Sequence, residues 1–450
     1  MRILLISPNT LTAPYPVYPL GLDYVASSVA REHEREIVDL NVTQLEGLEK
    51  ILRDFSPEVI GVSCRNIDNT DVSDSRYFVD GYAGLVSWLR EHSTAVIVCG
   101  GSGFTIMPEK VLNALGADYG IIGEGERFGL LVEALHNGQQ PEDITGVISA
   151  QTSRPASPPE PWQGQRERAF SRDSSHLDFY LDRGGMLNLQ SKRGCCFKCI
   201  YCPYPAIEGR RHRLVEPDQV ARMALELQTA GARYFFITDS AFNSDIAHSL
   251  AVAESFKAAG VTIPWGGFFA PVKLPSKYFR VMAEAGLTHV EFGTESMSST
   301  MLKTYQKPFT RDEVYTAHTM ANDAGLHTAH YLLMGGPGES AATVTKTLDN
   351  IEKLHKAVFF FFVGIRIYPR TPLYDIALRE GKISADTDLL KPVFFEADDI
   401  DLKGIEALVN ARVGKRINCV VGSGGSTGAD MVARMHQRGY VGPLWEHLIR

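Results

Sequence analysis

The sequence predicts an α/β protein made of two successive domains in which strands and helices alternate. Three observations support this fold class. Buried, β-branched segments alternate with amphipathic ones over the first 150 residues, a stretch rich in Pro, Ser and Arg interrupts them, and a second alternation begins near residue 186. Such alternation is typical of parallel sheets with helices packed on their faces. A chain of 450 residues is also long enough for two or three domains.

The first alternation covers residues 1–150. Its predicted strands are Ile3–Ser7, Glu36–Leu40, Val59–Ser63, Ala95–Cys99 and Tyr119–Ile122. Its predicted helices are Gly21–Glu32, Gln44–Phe55, Tyr77–His92, Pro108–Leu115 and Arg127–His136. In a parallel, doubly wound sheet of the Rossmann or flavodoxin type, ligands bind beyond the carboxyl ends of the strands. Those ends here carry the loops SPNT, SCRNIDNTD, CGGSGFT and GEGE, which therefore form the expected ligand site.

A predicted linker over residues 151–180 leads to the second alternation, residues 181–390. The strands expected there are Met186–Gln190, Tyr234–Asp239, Pro264–Phe269, His289–Thr294, His327–Met334 and Phe359–Ile367. Polar residues follow each strand, at the edge where barrel folds place their active sites. The alternation fades after residue 390, so residues 391–450 are expected to form a small, mostly helical cap.

Composition and charge exclude several classes of protein. The net charge of −8 argues against a nucleic-acid binder, which would show a basic patch. No apolar run reaches the ~18 residues that a membrane span needs, and the N-terminus MRILLISPNT lacks the regions of a signal peptide. Four of the seven cysteines fall within eight residues, which indicates metal chemistry rather than a disulfide framework. A cytoplasmic location is expected.

Cys195, Cys199 and Cys202 have the spacing Cys-x3-Cys-x2-Cys. Three thiolates can hold three corners of an iron–sulfur cube and leave the fourth iron without a protein ligand. A structural zinc site requires four ligands, usually in two pairs, and no second Cys/His pair follows at that spacing. Cys196 leaves open a shorter register, Cys-x2-Cys-x2-Cys.

The residues around these cysteines resemble the cluster loop of the radical S-adenosylmethionine superfamily, whose usual form is RGCPxxCxYC. Arg193, Gly194 and Tyr201 match this pattern, and Cys196 stands where a small residue is common. The resemblance implies a [4Fe-4S] cluster on Cys195, Cys199 and Cys202 and a partial (β/α)6 barrel. It also implies an electron donor such as flavodoxin or ferredoxin, and reductive cleavage of S-adenosylmethionine to a 5′-deoxyadenosyl radical.

The same resemblance assigns residues to S-adenosylmethionine. They are Tyr201, Asp239, Ser240, Glu295, Gly335, Gly336 and Arg366. Glu295 is implied for the ribose, and a carboxylate suits a vicinal diol because it accepts two charge-assisted hydrogen bonds. Arg366 has an alternative role in an ion pair with a neighbouring carboxylate. Glu339, in the same motif as the two glycines, is expected to cap its helix.

The first domain resembles the cobalamin-binding domain that precedes the radical domain in one branch of this superfamily. The resemblance rests on SPN, PLG, CGGSGFTIMPE and IIGEGE. It implies cobalamin contacts from Pro8, Asn9, Arg65, Asn66, Gly100, Gly101, Ser102, Gly103, Gly123 and Glu124. The absence of Asp-x-His-x-x-Gly implies that no histidine ligates the cobalt. Arg65 could instead pair with Asp68, and a flavodoxin-like or nucleotide-binding sheet is the alternative for the domain.

Together the two resemblances imply a cobalamin-dependent enzyme that modifies an unactivated carbon of a small-molecule or lipid-like substrate. Methyl transfer through methylcobalamin is the leading hypothesis. The alternatives are a radical rearrangement, cyclisation or carbon–carbon bond formation in lipid or natural-product biosynthesis, and 3-amino-3-carboxypropyl transfer. A corrinoid or iron–sulfur sensor is disfavoured because no effector domain is evident. A methylthiotransferase is disfavoured because Cys64 and Cys99, expected to be core thiols, are too few for a second cysteine trio.

Overall fold

A computed structural model describes residues 1–151, 160–164, 166–422 and 425–449. Part of the predicted linker therefore lies outside the described residues. The strands in the first 150 residues are β1 (Arg2–Ser7), β2 (Glu34–Asp39), β3 (Val59–Ser63), β4 (Val96–Gly100), β5 (Tyr119–Ile121) and β6 (Val147–Ser149). The later strands are β7 (Met186–Leu189), β8 (Lys192–Arg193), β9 (Arg213–Leu214), β10 (Tyr234–Ile237), β11 (Trp265–Phe269), β12 (Leu287–Glu295), β13 (His327–Met334), β14 (Ala357–Val363), β15 (Ile365–Arg366), β16 (Phe394–Phe395) and β17 (Cys419–Val421).

The helices alternate with these strands. Those of the first domain are α1 (Leu20–Ser28), α2 (Leu45–Phe55), α3 (Val79–His92), α4 (Ser102–Ile106), α5 (Pro108–Leu115) and α6 (Arg127–His136). The others are α7 (Leu177–Asp182), α8 (Tyr204–Ile207), α9 (Pro217–Thr229), α10 (Ile246–Ala259), α11 (Tyr278–Glu284), α12 (Ser299–Thr304), α13 (Arg311–Asp323), α14 (Ala341–Ile351), α15 (Pro372–Arg379), α16 (Leu402–Val413) and α17 (Gly425–Gln437). Short 3-10 helices occur at Pro141–Asp143, Phe242–Ser244 and Trp445–Leu448.

The first sheet has the strand order β2-β1-β3-β4-β5-β6. The pairs from β2 to β5 are parallel, and β6 joins β5 in the antiparallel direction. Alternate residues of β1 face opposite layers: Ile3 and Leu5 pack with α1 and α6, while Leu4 and Ile6 pack with α2, α3 and α5. The prediction of a parallel, doubly wound sheet is confirmed, and β6 is an additional edge strand.

The second sheet has the order β17-β14-β13-β12-β11-β10-β7, and every pair in it is parallel. Its first six strands along the chain correspond to the six predicted units. The seventh, Cys419–Val421, comes from the predicted cap and extends the sheet beyond β14. Among the described residues β7 and β17 do not pair with each other, so this sheet is an open, partial barrel.

The C-terminal segment also packs against the barrel near the amino ends of its strands. Trp445 is 7% exposed and contacts Ala329 on β13 and Val358 on β14. Since these residues lie near the start of their strands, the segment covers the end opposite the carboxyl-end loops. No described helix is both long and apolar enough to cross a bilayer.

Buried polar contacts join the two domains. Arg366 on β15 donates to Asp68 of the first domain over 3.0 Å, and both side chains are almost completely buried. Arg193 donates to Glu126 over 2.9 Å. Removing one member of such a pair leaves an uncompensated buried charge, so these contacts hold the domains in one relative position.

Candidate active site

The cysteine loop follows β8, close to the carboxyl end of β7. Cys195, Cys199 and Cys202 line one cavity of about 530 Å³, whereas Cys196 is exposed and does not line it. Gly194 begins the turn with φ of 92°, and a Cβ atom there would lie 2.2 Å from the carbonyl oxygen of Arg211. The turn therefore requires glycine, and it directs the three thiols of the longer register toward a common space.

Burial raises the pKa of two of these three thiols. It raises the pKa of Cys195, and it raises that of Cys202 to about 12. Iron binding would replace the thiol protons, as it does wherever thiolate is the ligand. No three described His, Cys, Asp or Glu side chains converge on a single point. The ligands of a cubane bind three different iron atoms and need not converge.

Glu295 lies on the wall of the same cavity, at the end of β12. Its backbone has φ of 62°, a left-handed conformation that costs a non-glycine residue about 1–3 kcal/mol and is common at functional sites. Its carboxylate accepts a hydrogen bond from Lys307 Nζ over 3.3 Å, and Lys307 also donates to the hydroxyl of Tyr201 over 3.2 Å. Burial lowers the pKa of Lys307, but the charge of Glu295, its hydrogen bond to Lys307 and the nearby Cys199 and Cys202 together outweigh burial, so the pKa is raised.

Ser240 and Asp239 have different environments. Ser240 lines the cavity, and its buried Oγ has no hydrogen-bond partner among the described residues, as expected of a group that awaits a ligand. Asp239 is 1% exposed and does not line the cavity. It accepts hydrogen bonds from Lys192 Nζ at 2.9 Å and from the Ser191 hydroxyl at 2.5 Å. The structure thus gives Asp239 a supporting role beneath the cysteine loop.

Arg366 borders the cavity, but its guanidinium is occupied. It bonds to Asp68 and to the carbonyl oxygens of Ile367 and Leu389. The ion-pair alternative for Arg366 therefore describes the structure. For the same reason the expected pairing of Arg65 with Asp68 is wrong, because the Asp68 carboxylate faces Arg366 instead.

Arg65 lies two residues after β3, and part of its side chain is open to solvent. Burial lowers its pKa, while four nearby phenols on Tyr15, Tyr82, Tyr180 and Tyr204 raise it. These tyrosines come from both domains, so the guanidinium lies where the first sheet faces the barrel. That Arg65 faces the corrinoid stays a prediction.

The two glycines after β13 serve the packing of the chain. Gly335 has φ of 99°, and a Cβ there would approach Leu402 to 2.8 Å. A Cβ on Gly336 would lie 2.4 Å from the ring of Tyr305. Neither lines the cavity. Glu339 accepts hydrogen bonds from the Tyr305 hydroxyl, from the Gly335 amide and from the Thr343 hydroxyl. The residue that caps α14 is Ser340, so the expected capping role of Glu339 is wrong.

A second, largely apolar cavity of about 230 Å³ opens at the carboxyl ends of β1, β3 and β4. Five of the predicted cobalamin residues line it, namely Gly100, Gly101, Ser102, Gly123 and Glu124. Leu5, Val62 and Val98 supply its apolar walls, which suit a flat, uncharged ring such as the base of the corrinoid tail. The apolar slot at this strand edge therefore fits cobalamin.

The glycine-rich loop differs from its prediction. Residues 102–106 form the short helix α4 rather than a loop. A Cβ on Gly101 would lie 2.8 Å from the carbonyl oxygen of Cys64, and one on Gly103 would lie 2.8 Å from the backbone of Asn66. These two glycines permit close packing of neighbouring loops, while Gly100 alone of the three has room for a Cβ.

Other predicted cobalamin residues have partners within the protein. The carbonyl oxygens of Asn9 and Asn66 accept hydrogen bonds from Asn41 and Tyr82. Pro8 follows the end of β1, at the same edge of the sheet. Glu124 accepts hydrogen bonds from Arg193 and from Arg213, at 3.4 and 2.6 Å, and thus also holds the domains together.

Sequence reasoning missed several residues of the larger cavity. Lys307, Phe309, Phe268 and Tyr331 line it. The two phenylalanines and the tyrosine look like ordinary core residues in the sequence. The alternating direction of side chains along β13 could have identified Tyr331 as a cavity residue. It places residues 331 and 333 on the inner side of the barrel and His330 on the outer side. His330 is indeed a buried core histidine bonded to Thr294 and His318.

Comparison with known families agrees with this geometry. Residues 6–130 match the model of the B12 binding domain, and residues 189–351 match that of the radical SAM superfamily. The chain therefore belongs to the radical SAM superfamily, in the class that carries a B12-binding domain. It is a radical SAM enzyme, and its cofactors are a [4Fe-4S] cluster, S-adenosylmethionine and cobalamin, as predicted.

Individual relatives are similar over most of the chain. Tryptophan 2-C-methyltransferase of Streptomyces laurentii is 26% identical over 440 residues, which cover 82% of this chain and 73% of the relative. An uncharacterized methyltransferase of Pyrococcus horikoshii is 28% identical, with 84% and 83% covered. The structure of the radical S-adenosylmethionine methyltransferase TsrM from Kitasatospora setae, with cobalamin and a [4Fe-4S] cluster bound, has a TM-score of 0.87. It is 23% identical, covers 99% of this chain and 97% of its own, and shares the fold.

The role of Glu295 can be tested by its removal. Glu295→Ala should raise the dissociation constant for S-adenosylmethionine about 30-fold or more, because two charge-assisted hydrogen bonds are worth on the order of 2–4 kcal/mol together. Titration calorimetry on cluster-loaded protein measures this change. Glu339→Gln is the matched control, since that carboxylate lies in the loop after the next strand, β13, and does not line the cavity. Equal affinity in Glu295→Ala and the parent protein, with a lower melting temperature, would make Glu295 only the ion-pair partner of Lys307.

Proposed function

We propose that this enzyme transfers a methyl group from S-adenosylmethionine to a carbon atom of a small-molecule substrate, with cobalamin as the methyl carrier. One observation carries the proposal. Cys199 and Cys202 line the cavity that holds Glu295, and they also line a separate cavity of about 400 Å³ that contains Gly123 and Glu124 of the B12-binding domain. The cluster loop therefore separates the two cofactor sites by a single layer of residues.

The closeness of the two cavities suits a reaction in which S-adenosylmethionine supplies both the radical at the cluster and the methyl group for cobalamin. When bound, the cofactors supply reductive cleavage and methyl transfer, and the chain supplies position and protection from water. Ser240, Lys307 and Glu295 offer polar contacts at the strand ends. Phe268, Phe309 and Phe362 give the larger cavity aromatic walls.

Two similar proteins support methyl transfer as the outcome and leave the substrate open. The relative from Streptomyces laurentii is named for methylation of tryptophan. Another, from Streptomyces wedmorensis and 22% identical, is named for methylation of cytidylyl-2-hydroxyethylphosphonate. Because these compounds differ widely, we propose a small-molecule substrate and a flavodoxin- or ferredoxin-type electron donor, without a compound name.

The experiment follows a labelled methyl group. Protein reconstituted anaerobically with iron, sulfide and hydroxocobalamin should hold about one corrinoid per chain. Incubated with methyl-labelled S-adenosylmethionine, a reductant and a panel of small molecules led by tryptophan, it should pass the label to a carbon of one of them. Mass spectrometry detects the product. Corrinoid binding with a product that lacks the label would favour rearrangement or cyclisation, and failure to bind corrinoid would remove cobalamin as the carrier.

A further inference from the structure

Tyr331 lies on the inner face of the barrel, one layer below the predicted S-adenosylmethionine residues. It is opposite Gly293 in the register of β12 and β13, and Gly293 is two residues before Glu295. Its side chain is half-buried and lines the larger cavity. Tyr331 therefore presents a polar group to the cavity at a depth where a substrate beneath the cofactor would lie.

A buried carboxylate supports this phenol from behind. Tyr331 Oη donates to Glu291 Oε2 over 2.9 Å, and Trp445 Nε1 donates to Glu291 Oε1 over 3.0 Å. Glu291 is 2% exposed, and none of the described lysines or arginines forms an ion pair with it. A buried carboxylate without a cation is costly, and perturbed groups of this kind cluster at functional sites.

The surroundings of Glu291 make its carboxylate a stronger base than an exposed glutamate. Burial raises the pKa of Glu291, against the opposing effect of hydrogen bonds from Trp445 and Tyr331 and of nearby His289. Tyr15 and Tyr234 are also close enough for the Glu291 charge to raise the pKa of each. The group is thus able to take up a proton that reaches it through Tyr331.

The hydrogen bond also fixes what Tyr331 can do. A phenol has one proton, and this one is donated to Glu291, so the Tyr331 oxygen can only accept hydrogen bonds from the cavity. Rings surround it: Phe362 lies parallel at 6.1 Å between centroids, and Phe268 lies edge-on at 6.2 Å. Phe268 is 38% exposed although it lies inside the barrel, so its ring is open to the cavity.

We propose that Tyr331 is a catalytic residue that accepts a hydrogen bond, and then a proton, from an N–H or O–H group on a flat aromatic substrate stacked beside Phe268, with Glu291 as its positioning residue. This inference rests on the proposed function and names the substrate class of the same site. Stacked or edge-on aromatic contacts provide the apolar part of recognition.

The proton transfer balances without a further reactant. The substrate N–H or O–H bond breaks, and its proton goes to Tyr331 Oη while the phenol's own proton passes to Glu291 Oε2. Glu291 becomes neutral, and the electron pair stays on the substrate. This makes the ring more nucleophilic toward a methyl group, and no electron is gained or lost.

Matched probes test the recognition step by calorimetry on the full, cofactor-reconstituted chain. Indole and 1-methylindole form one pair, and 2-naphthol and 2-methoxynaphthalene form the other; within each pair only the first has a donor. We expect the donor-bearing member of at least one pair to bind about tenfold or more tightly than its methylated partner. Tyr331→Phe removes one oxygen atom and should abolish that preference while leaving the methylated probe unchanged.

The role of Glu291 has its own readout. Glu291→Leu frees the Tyr331 proton, so this variant should bind 2-methoxynaphthalene, which has an acceptor oxygen, several-fold more tightly than the parent protein does. A purely structural carboxylate would not produce this gain. Equal binding within both pairs, no binding of any probe, or a donor preference that survives in Tyr331→Phe would each overturn the proposal. Because the assay measures binding, a failure of methyl transfer would be seen separately.

Discussion

Replacement of Cys195, Cys199 or Cys202 by alanine should abolish the brown anaerobic absorbance of the cluster and the formation of 5′-deoxyadenosine. The three thiols line one cavity together with Glu295, and each would bind a different iron of the cube. Loss of one protein ligand leaves two, which cannot hold the cube in place with one iron open. Iron and sulfide analysis, absorbance and product chromatography measure the loss.

Cys196→Ala is the matched control for this experiment. Cys196 is adjacent to a ligand, but it is exposed and lies outside the cavity, so its variant should keep the full cluster. The opposite result, with the cluster retained in Cys195→Ala and lost in Cys196→Ala, would establish the shorter register. The structure favours the longer one because Gly194 turns Cys195 inward.

The alternation of strands and helices was sufficient to predict both sheets and the order in which their strands follow one another along the chain. It missed β6 and β17, each only three residues long. Strands of this length carry too few residues to show a period, and β17 lies in a segment whose neighbours read as helix and loop. Each of these two strands pairs with an edge strand, β5 or β14, that another part of the chain supplies, so its position depends on contacts remote in sequence.

The cluster ligands could be predicted because their chemistry depends on local spacing. The partners of the other site residues could not, because they are remote in sequence. Asp239 contacts Lys192 over a chain separation of 47 residues, and Arg366 contacts Asp68 over a separation of 298. A motif specifies which side chain stands at a strand end, but the packing of the whole fold decides whether that side chain faces a ligand or a buried charge.

Asp239→Ala should destabilise the barrel domain strongly. Asp239 and Lys192 form an ion pair with side chains 0% and 1% exposed, and its removal leaves the Lys192 ammonium buried without its carboxylate. Breaking such a pair typically costs about 3–5 kcal/mol, which corresponds to a fall of about 10 °C or more in the melting temperature of a domain of this size. Thermal unfolding followed by circular dichroism measures it.

The double variant Lys192→Met, Asp239→Leu separates a structural role from cofactor binding. It removes both charges and keeps similar volumes, so it should recover most of the stability that Asp239→Ala loses. Lys192 Nζ also donates to the carbonyl oxygens of Ala241 and Phe242, at 2.7 and 3.2 Å, and those bonds would be lost in the double variant without leaving a buried charge. If Asp239→Ala instead kept its melting temperature and lost affinity for S-adenosylmethionine, the carboxylate would contact the cofactor, as the resemblance implies. The burial of both side chains leads us to expect the first result.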